Sequence, residues 1–158
     1  MAGVYLYHDW EKNMIRTILG AATAITLAMP AVALETLASP YSVSETMDKL
    51  VAAVEGAGAS VIARVDHSGA AGSVDMELPE SQLLIFGNPK AGTPVMQQDL
   101  RAGLILPLRV LVSEGDNGTV ITWQSPDEMF SGLDVDLESE SVKMSAGALQ
   151  KLTAKAVE

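Results

Sequence analysis

Leu108, Val110 and Val112 alternate with Arg109, Leu111 and Ser113, and a second run from Thr119 to Gln124 follows the tripeptide Asp116-Asn117-Gly118. Alternation with a period of two puts the apolar set on one face of a strand. Asn-Gly between two such runs is a strong hairpin signal, because it suits two positive-φ positions. This pair of runs constrains the fold most: it requires an antiparallel pair with one clearly apolar face, and the remaining elements must cover that face.

Helices are available to cover it. Ser42-Val43-Ser44-Glu45 has the form of a capping box, and Met47, Leu50, Val51 and Val54 follow at helical spacing until Gly56 and Gly58. Ser60–Asp66 reads as a strand, with Val61, Ala63 and Val65 on one side and Ile62 and Arg64 on the other. The glycine-rich stretch 68–73 reads as a loop or a poor short helix. Gln82–Phe86 is a second strand-length apolar run. Thr93-Pro94 then reads as an N-cap with proline at the first helical position, with Val95, Met96, Leu100 and Leu104 as the buried face. Ser125-Pro126-Asp127-Glu128 opens a short helix, and Val142, Ala146, Leu149, Leu152 and Ala156 have the spacing of a closing one. The expected class is α+β, a mainly antiparallel sheet backed by helices. The expected organisation is a short linker at 34–40, an α+β domain at 41–130, a solvated acidic linker at 131–141 and a C-terminal helix at 142–158 that packs on the domain.

The first 33 residues read as an address. Arg16 precedes the uncharged stretch from Thr17 to Met29, and Ala31-Val32-Ala33 ends it in small-x-small form, the pattern of a secretory signal peptide. The apolar stretch is 13 residues long, against about 20 for a membrane-spanning helix; the alternative is an uncleaved anchor. Met1–Asn13 carries Asp9 and Glu11 beside Lys12, a poor leader front, so translation is expected to start at Met14. Cleavage after Ala33 sends the chain to a periplasm or outside the cell, with no stable membrane span left.

The chain carries 20 acidic and 10 basic residues, a net charge of −10, and no cysteine. An acidic surface repels phosphate backbones, so no nucleic-acid partner is expected. Without cysteine there is no disulfide, thiol catalysis or thiolate zinc site.

Candidate chemistry is sparse. Gly87 and Gly92 have the glycine spacing of a P-loop, but Thr93-Pro94 stands where Lys-Ser or Lys-Thr belongs, and Lys90 lies inside the loop. That leaves an anion nest at a helix start or a plain strand-to-helix turn. His67, beside Asp66, is the sole histidine after the leader. It is either a general base or a solvated strand-end pair. No G-x-S-x-G elbow is present. Asn117-Gly118-Thr119 matches a glycosylation sequon that the hairpin turn explains, and the acidic run from Asp134 to Glu140 lacks the EF-hand pattern.

Asp66-His67, the run from Leu83 through Phe86-Gly87-Asn88-Pro89-Lys90-Ala91-Gly92-Thr93-Pro94 to Met96, then Leu106-Pro107-Leu108, and Gly118 before the last strand together resemble the domain-of-unknown-function 302 family, over Ser42–Phe130. The resemblance implies a TBP-like fold in β-α-β(4)-α arrangement, often a homodimer, and no assigned reaction. It singles out Asp66, His67, Asn88, Lys90 and Thr93 as polar motif members, here expected as ligand-binding positions. The family pattern has glycine-leucine where this chain has Asp75-Met76. The reading is a non-enzymatic binding or interaction module, with an unidentified small ligand and a second copy of the chain, as a homodimer, for partners, and with no catalytic set, metal or cofactor expected. The alternatives are a hydrolase-type enzyme using His67 with a nearby carboxylate, and a structural homodimer of the cell envelope.

Overall fold

The computed structural model describes residues 34–158; the expected leader and the start at Met14 lie outside the described residues. Five strands, β1 (Leu34–Ala38), β2 (Ser60–Asp66), β3 (Ser81–Gly87), β4 (Leu108–Gly115) and β5 (Gly118–Gln124), form one sheet in the order β1-β5-β4-β3-β2. All four pairings are antiparallel. The helices are α1 (Val43–Gly56), α2 (His67–Gly72), α3 (Pro89–Gln98), α4 (Pro126–Met129) and α5 (Glu140–Ala156), with a 3₁₀ turn at Leu100–Leu104. The α+β class is as expected. None of these helices is long and apolar enough to cross a membrane.

Alternation explains the layering. Leu84 and Phe86 of β3, Val110 and Val112 of β4, and Ile121 and Trp123 of β5 share one face and are buried. Met47, Leu50 and Val54 of α1, Val95 of α3 and Leu149 and Leu152 of α5 close over it in a single core. Ser42 caps α1 as the capping-box spacing requires, its Oγ accepting from the Glu45 N–H at 3.2 Å. The opposite face stays open. It carries Ala63, Val65, Leu83, Ile85, Leu111 and Val120 among small polar residues, and its one charged side chain is Arg109.

Several expectations are corrected. The linker at 34–40 is the edge strand β1, whose Leu34–Ala38 pairs with Gln124–Val120. It is mostly exposed, so backbone hydrogen bonds rather than a buried apolar pattern define it. Strand β2 does not alternate cleanly. Val61 faces Phe86 while Ala63 faces Ile85, so Ile62 is the extra residue of a β-bulge. The helix expected from Pro94 begins at Pro89 and ends at Gln98. Leu100 and Leu104 therefore fall in the 3₁₀ turn and are 83% and 86% exposed, off the buried face of Val95. The hairpin pairs Gly115 with Gly118, so Asp116-Asn117 forms its centre and Gly118 alone takes positive φ, +111°. Glycine accepts that conformation without steric cost, which spares Asn117 from it. Asp75 adopts φ +58° where the family pattern has glycine. The left-handed bend thus survives, since aspartate is among the few non-glycine residues that visit this region.

The acidic segment is not a free linker. Its carboxylates Asp134, Asp136 and Glu138 are exposed, but Leu133 and Val135 pack against the core. The Asp134 N–H donates to Asp99 Oδ2 at 3.0 Å and the Asp136 N–H to Gln98 Oε1 at 2.8 Å, strapping the segment to the end of α3. Hydrogen bonds from the Arg101 guanidinium, then from the Asp134 and Arg101 backbone N–H groups, hold the Asp99 carboxyl well below the usual carboxylate range. A depressed folded-state pKa gives a contribution that is complete above the unfolded aspartate pKa and is lost as pH falls through the folded value. The stability difference between wild type and Asp99→Asn should therefore be constant above about pH 4 and shrink below it, as urea denaturation at a series of pH values will read.

Candidate functional site

Strand β3 ends at Gly87, and the next residue starts a helix. Asn88 has extended backbone (φ −133°, ψ 120°) and its Oδ1 accepts from the Lys90 N–H at 3.0 Å. Pro89 occupies the first turn, where its missing N–H has no intrahelical partner to lose. Asn88 follows directly on the end of β3 and is a competent N-cap, so Asn88-Pro89 and not Thr93-Pro94 starts α3, and Pro94 lies inside the helix.

This start answers the anion question. The Lys90 N–H is taken by the Asn88 side chain, and the Ala91 and Gly92 N–H groups both donate to the Asn88 carbonyl, at 2.9 and 3.0 Å. The loop amides are satisfied internally, so no nest of free N–H groups remains to cradle a phosphate.

The same turn borders a pocket of about 450 Å³, within the roughly 300–1,000 Å³ range of small-molecule sites. Its lining comes from five parts of the fold: Ser60 and Ile62 of β2, Gly87 through Thr93 without Lys90, Met96 of α3, Leu106-Pro107-Leu108, and Ser145 of α5. No charged side chain lines it. Two of its polar groups are already engaged: the Asn88 Oδ1 caps α3, and the Ser145 hydroxyl donates to the Ser141 carbonyl at 3.0 Å. The Ser60 and Thr93 hydroxyls and the Asn88 side-chain NH2 are the remaining side-chain polar groups of the lining. A Cβ on Gly87 would stand 3.3 Å from Pro107 Cβ, so glycine permits this close approach at the pocket floor. The Leu106-Pro107 peptide is cis.

The expected site residues split into two groups. Asn88 and Thr93 line the pocket, and exposed Lys90 sits between the lining residues Pro89 and Ala91. Asp66 and His67 lie elsewhere: Ser60 pairs with Gly87 at the pocket end of β2, while Asp66 closes the other end, roughly 20 Å away along six strand steps. Asp66 caps α2. Its Oδ1 accepts from the Gly69 N–H and the Ser68 hydroxyl, both at 2.8 Å, and neither bond involves His67. These bonds, the Gly69 one foremost, lower the Asp66 pKa. A Cβ on Gly69 would meet Asp66 Oδ2 at 2.5 Å, so any larger residue there must shift the capping carboxylate. Among the described residues no group of three His, Asp or Glu side chains is arranged to hold a metal ion.

Ile62 and Ser145 escaped sequence reasoning. Ile62 reaches the pocket because it is the bulge residue, and Ser145 arrives on a helix far along the chain. Leu106-Pro107-Leu108 was visible as a motif segment but not as pocket wall.

A helix-backed, one-sided antiparallel sheet with an uncharged pocket at the β3–α3 turn defines a small α+β domain. Residues 35–156 match the family model described as domain of unknown function DUF302, and the chain belongs to that family. The crystal structure of an uncharacterized conserved DUF302 protein from Bacillus stearothermophilus superposes with a TM-score of 0.64 at 18% identity, covering 80% of this chain and 97% of that one. Proteins named fluoride-specific ion channel FluC 1 in Brucella suis and in Brucella abortus are each 35% identical over 126 residues. The match covers 77% of this chain in both cases, and 50% and 47% of those proteins. The chain spans about half the length of these curated relatives.

Because Asp66 serves a helix cap and His67 does not partner it, Asp66→Ala should lower the thermal midpoint, whereas His67→Ala should leave it unchanged, as circular dichroism melts will show.

Proposed function

We propose that this DUF302 domain is a secreted or periplasmic, non-enzymatic binding module whose ligand site is the pocket at the β3–α3 turn. The observation that carries this reading is the pocket itself: about 450 Å³, uncharged, and built around the glycine-rich segment from Gly87 to Thr93. The hydrolase alternative is disfavoured by geometry, since His67 and Asp66 stand at the far end of β2 and their contacts serve α2. Native mass spectrometry of protein taken from the envelope fraction tests the reading. The expected result is a mature chain beginning at Leu34 that retains a small-molecule mass. A retained Met14 or Met1 start would refute the secretory part. A folded protein without added mass, and without any ligand in a thermal-shift screen, would refute the binding part.

The open sheet face supports a second copy of this chain as partner. The chain has 20 acidic residues, yet among the described residues none lies on this face, where Leu83 and Leu111 pair at the centre. Two copies stacked there would bury apolar surface without apposing carboxylates. Sedimentation equilibrium should show a dimer for wild type and a folded monomer for Leu83→Glu and Leu111→Glu. A monomeric wild type, or charge variants that stay dimeric, would remove this face as the interface.

A further inference from the structure

Resting on the pocket reading above, we infer that the ligand is a carboxylate-headed aliphatic amphiphile, its chain in the pocket and its carboxylate at the Lys90 ammonium. Two observations carry the inference. The first is the lining. Ile62, Met96, Leu106, Pro107 and Leu108 present aliphatic surface. With the Asn88 Oδ1 and the Ser145 hydroxyl already bonded within the fold, a ligand group inside would find two hydroxyls and the neutral Asn88 side-chain NH2, and no charged side chain. An unpaired charge in such a place is strongly unfavourable, so any charged group of the ligand must stay at the mouth.

The second is the local charge. On a chain of net charge −10, residues 57–63, 81–98 and 102–108, which supply the lining apart from Ser145, contain no aspartate or glutamate. Their one cation is Lys90, exposed and flanked by the lining residues Pro89 and Ala91. Among the described residues it makes no ion pair, nor do Lys49, Arg109, Lys151 and Lys155, while Arg64, Arg101 and Lys143 each pair with a carboxylate. An unpaired lysine on a flexible stem beside an uncharged pocket favours an anionic head over a neutral or cationic one. Ile62, 58% exposed at the bulge, adds exposed apolar surface to the lining. The loop amides are occupied, so recognition of the head rests on the ammonium and not on a backbone nest.

Isothermal titration calorimetry with dodecanoate, dodecanol and dodecylamine tests this. Dodecanoate should bind best, and Lys90→Ala should weaken it about fivefold, the scale of one exposed ion pair, while leaving dodecanol unchanged. Gly92→Leu should abolish binding of both. The position is helical, a Cβ there meets only Leu106 Cδ1 at 3.7 Å, and leucine is the better helix former, so the variant should melt no lower than wild type. Met96→Trp serves as a second pocket-filling variant. Dodecanol or dodecylamine binding as tightly as dodecanoate, or Lys90→Ala weakening both dodecanoate and dodecanol equally, overturns the carboxylate assignment. Binding that survives both pocket-filling variants overturns the placement of the chain. Failure of all three amphiphiles to bind overturns the ligand class. A retained mass of another chemistry in the native spectrum would then leave the pocket reading standing, and its absence would remove both.

Discussion

The structure depends on one-sided burial. Three central strands, β3, β4 and β5, send Leu84, Phe86, Val110, Val112, Ile121 and Trp123 to a single face, and an antiparallel sheet can leave its other face to solvent or to a partner. Every other feature follows from how that face is covered. Helices α1, α3 and α5 share the work. Where β3 hands over to α3 the cover is incomplete, and the pocket lies there. A fully wrapped sheet would have neither the pocket nor the open face.

The hand-over is chemical as much as topological. One residue, Asn88, ends a strand, caps a helix with its side chain and accepts two helix amides with its carbonyl. Satisfying the first turn in this way removes the feature that makes glycine-rich loops bind phosphate. The resulting site is an apolar one with a lysine outside it, even though the segment has P-loop glycine spacing. The bulge at Ile62 lies in the same neighbourhood, and its apolar side chain joins the lining.

Stability is tied in at the opposite side of α3. The segment from Leu133 to Glu138 pairs outward carboxylates with inward Leu133 and Val135, and its backbone is held by Gln98 and Asp99. That clamp places α5, and with it Ser145, against the pocket. Asp99 does three jobs there: it caps the 3₁₀ turn, binds Arg101 and receives the acidic segment.

Much of this was legible in the chain alone. The strand-length apolar run of β3, period-two alternation in β4, the capping box at Ser42 and the spacing along α1 and α5 specify elements by local rules, because the hydrogen bonds and side-chain directions that define them involve near neighbours. The family motif from Leu83 to Met96 also marked the region that became the pocket. What local rules leave open needed the tertiary structure. Edge strand β1 exists only through its ladder with β5, so its exposed residues carry no burial signal. Asn88 and Thr93 are both competent caps, and the choice between them follows from where β3 ends. Ile62 joins the pocket through register, and Ser145 through the packing of a distant helix. Asp66 and His67, adjacent in sequence and in the family motif, stand apart from Asn88, Lys90 and Thr93 because β2 and β3 run antiparallel. That pairing brings Ser60 to Gly87 and carries Asp66 to the far end.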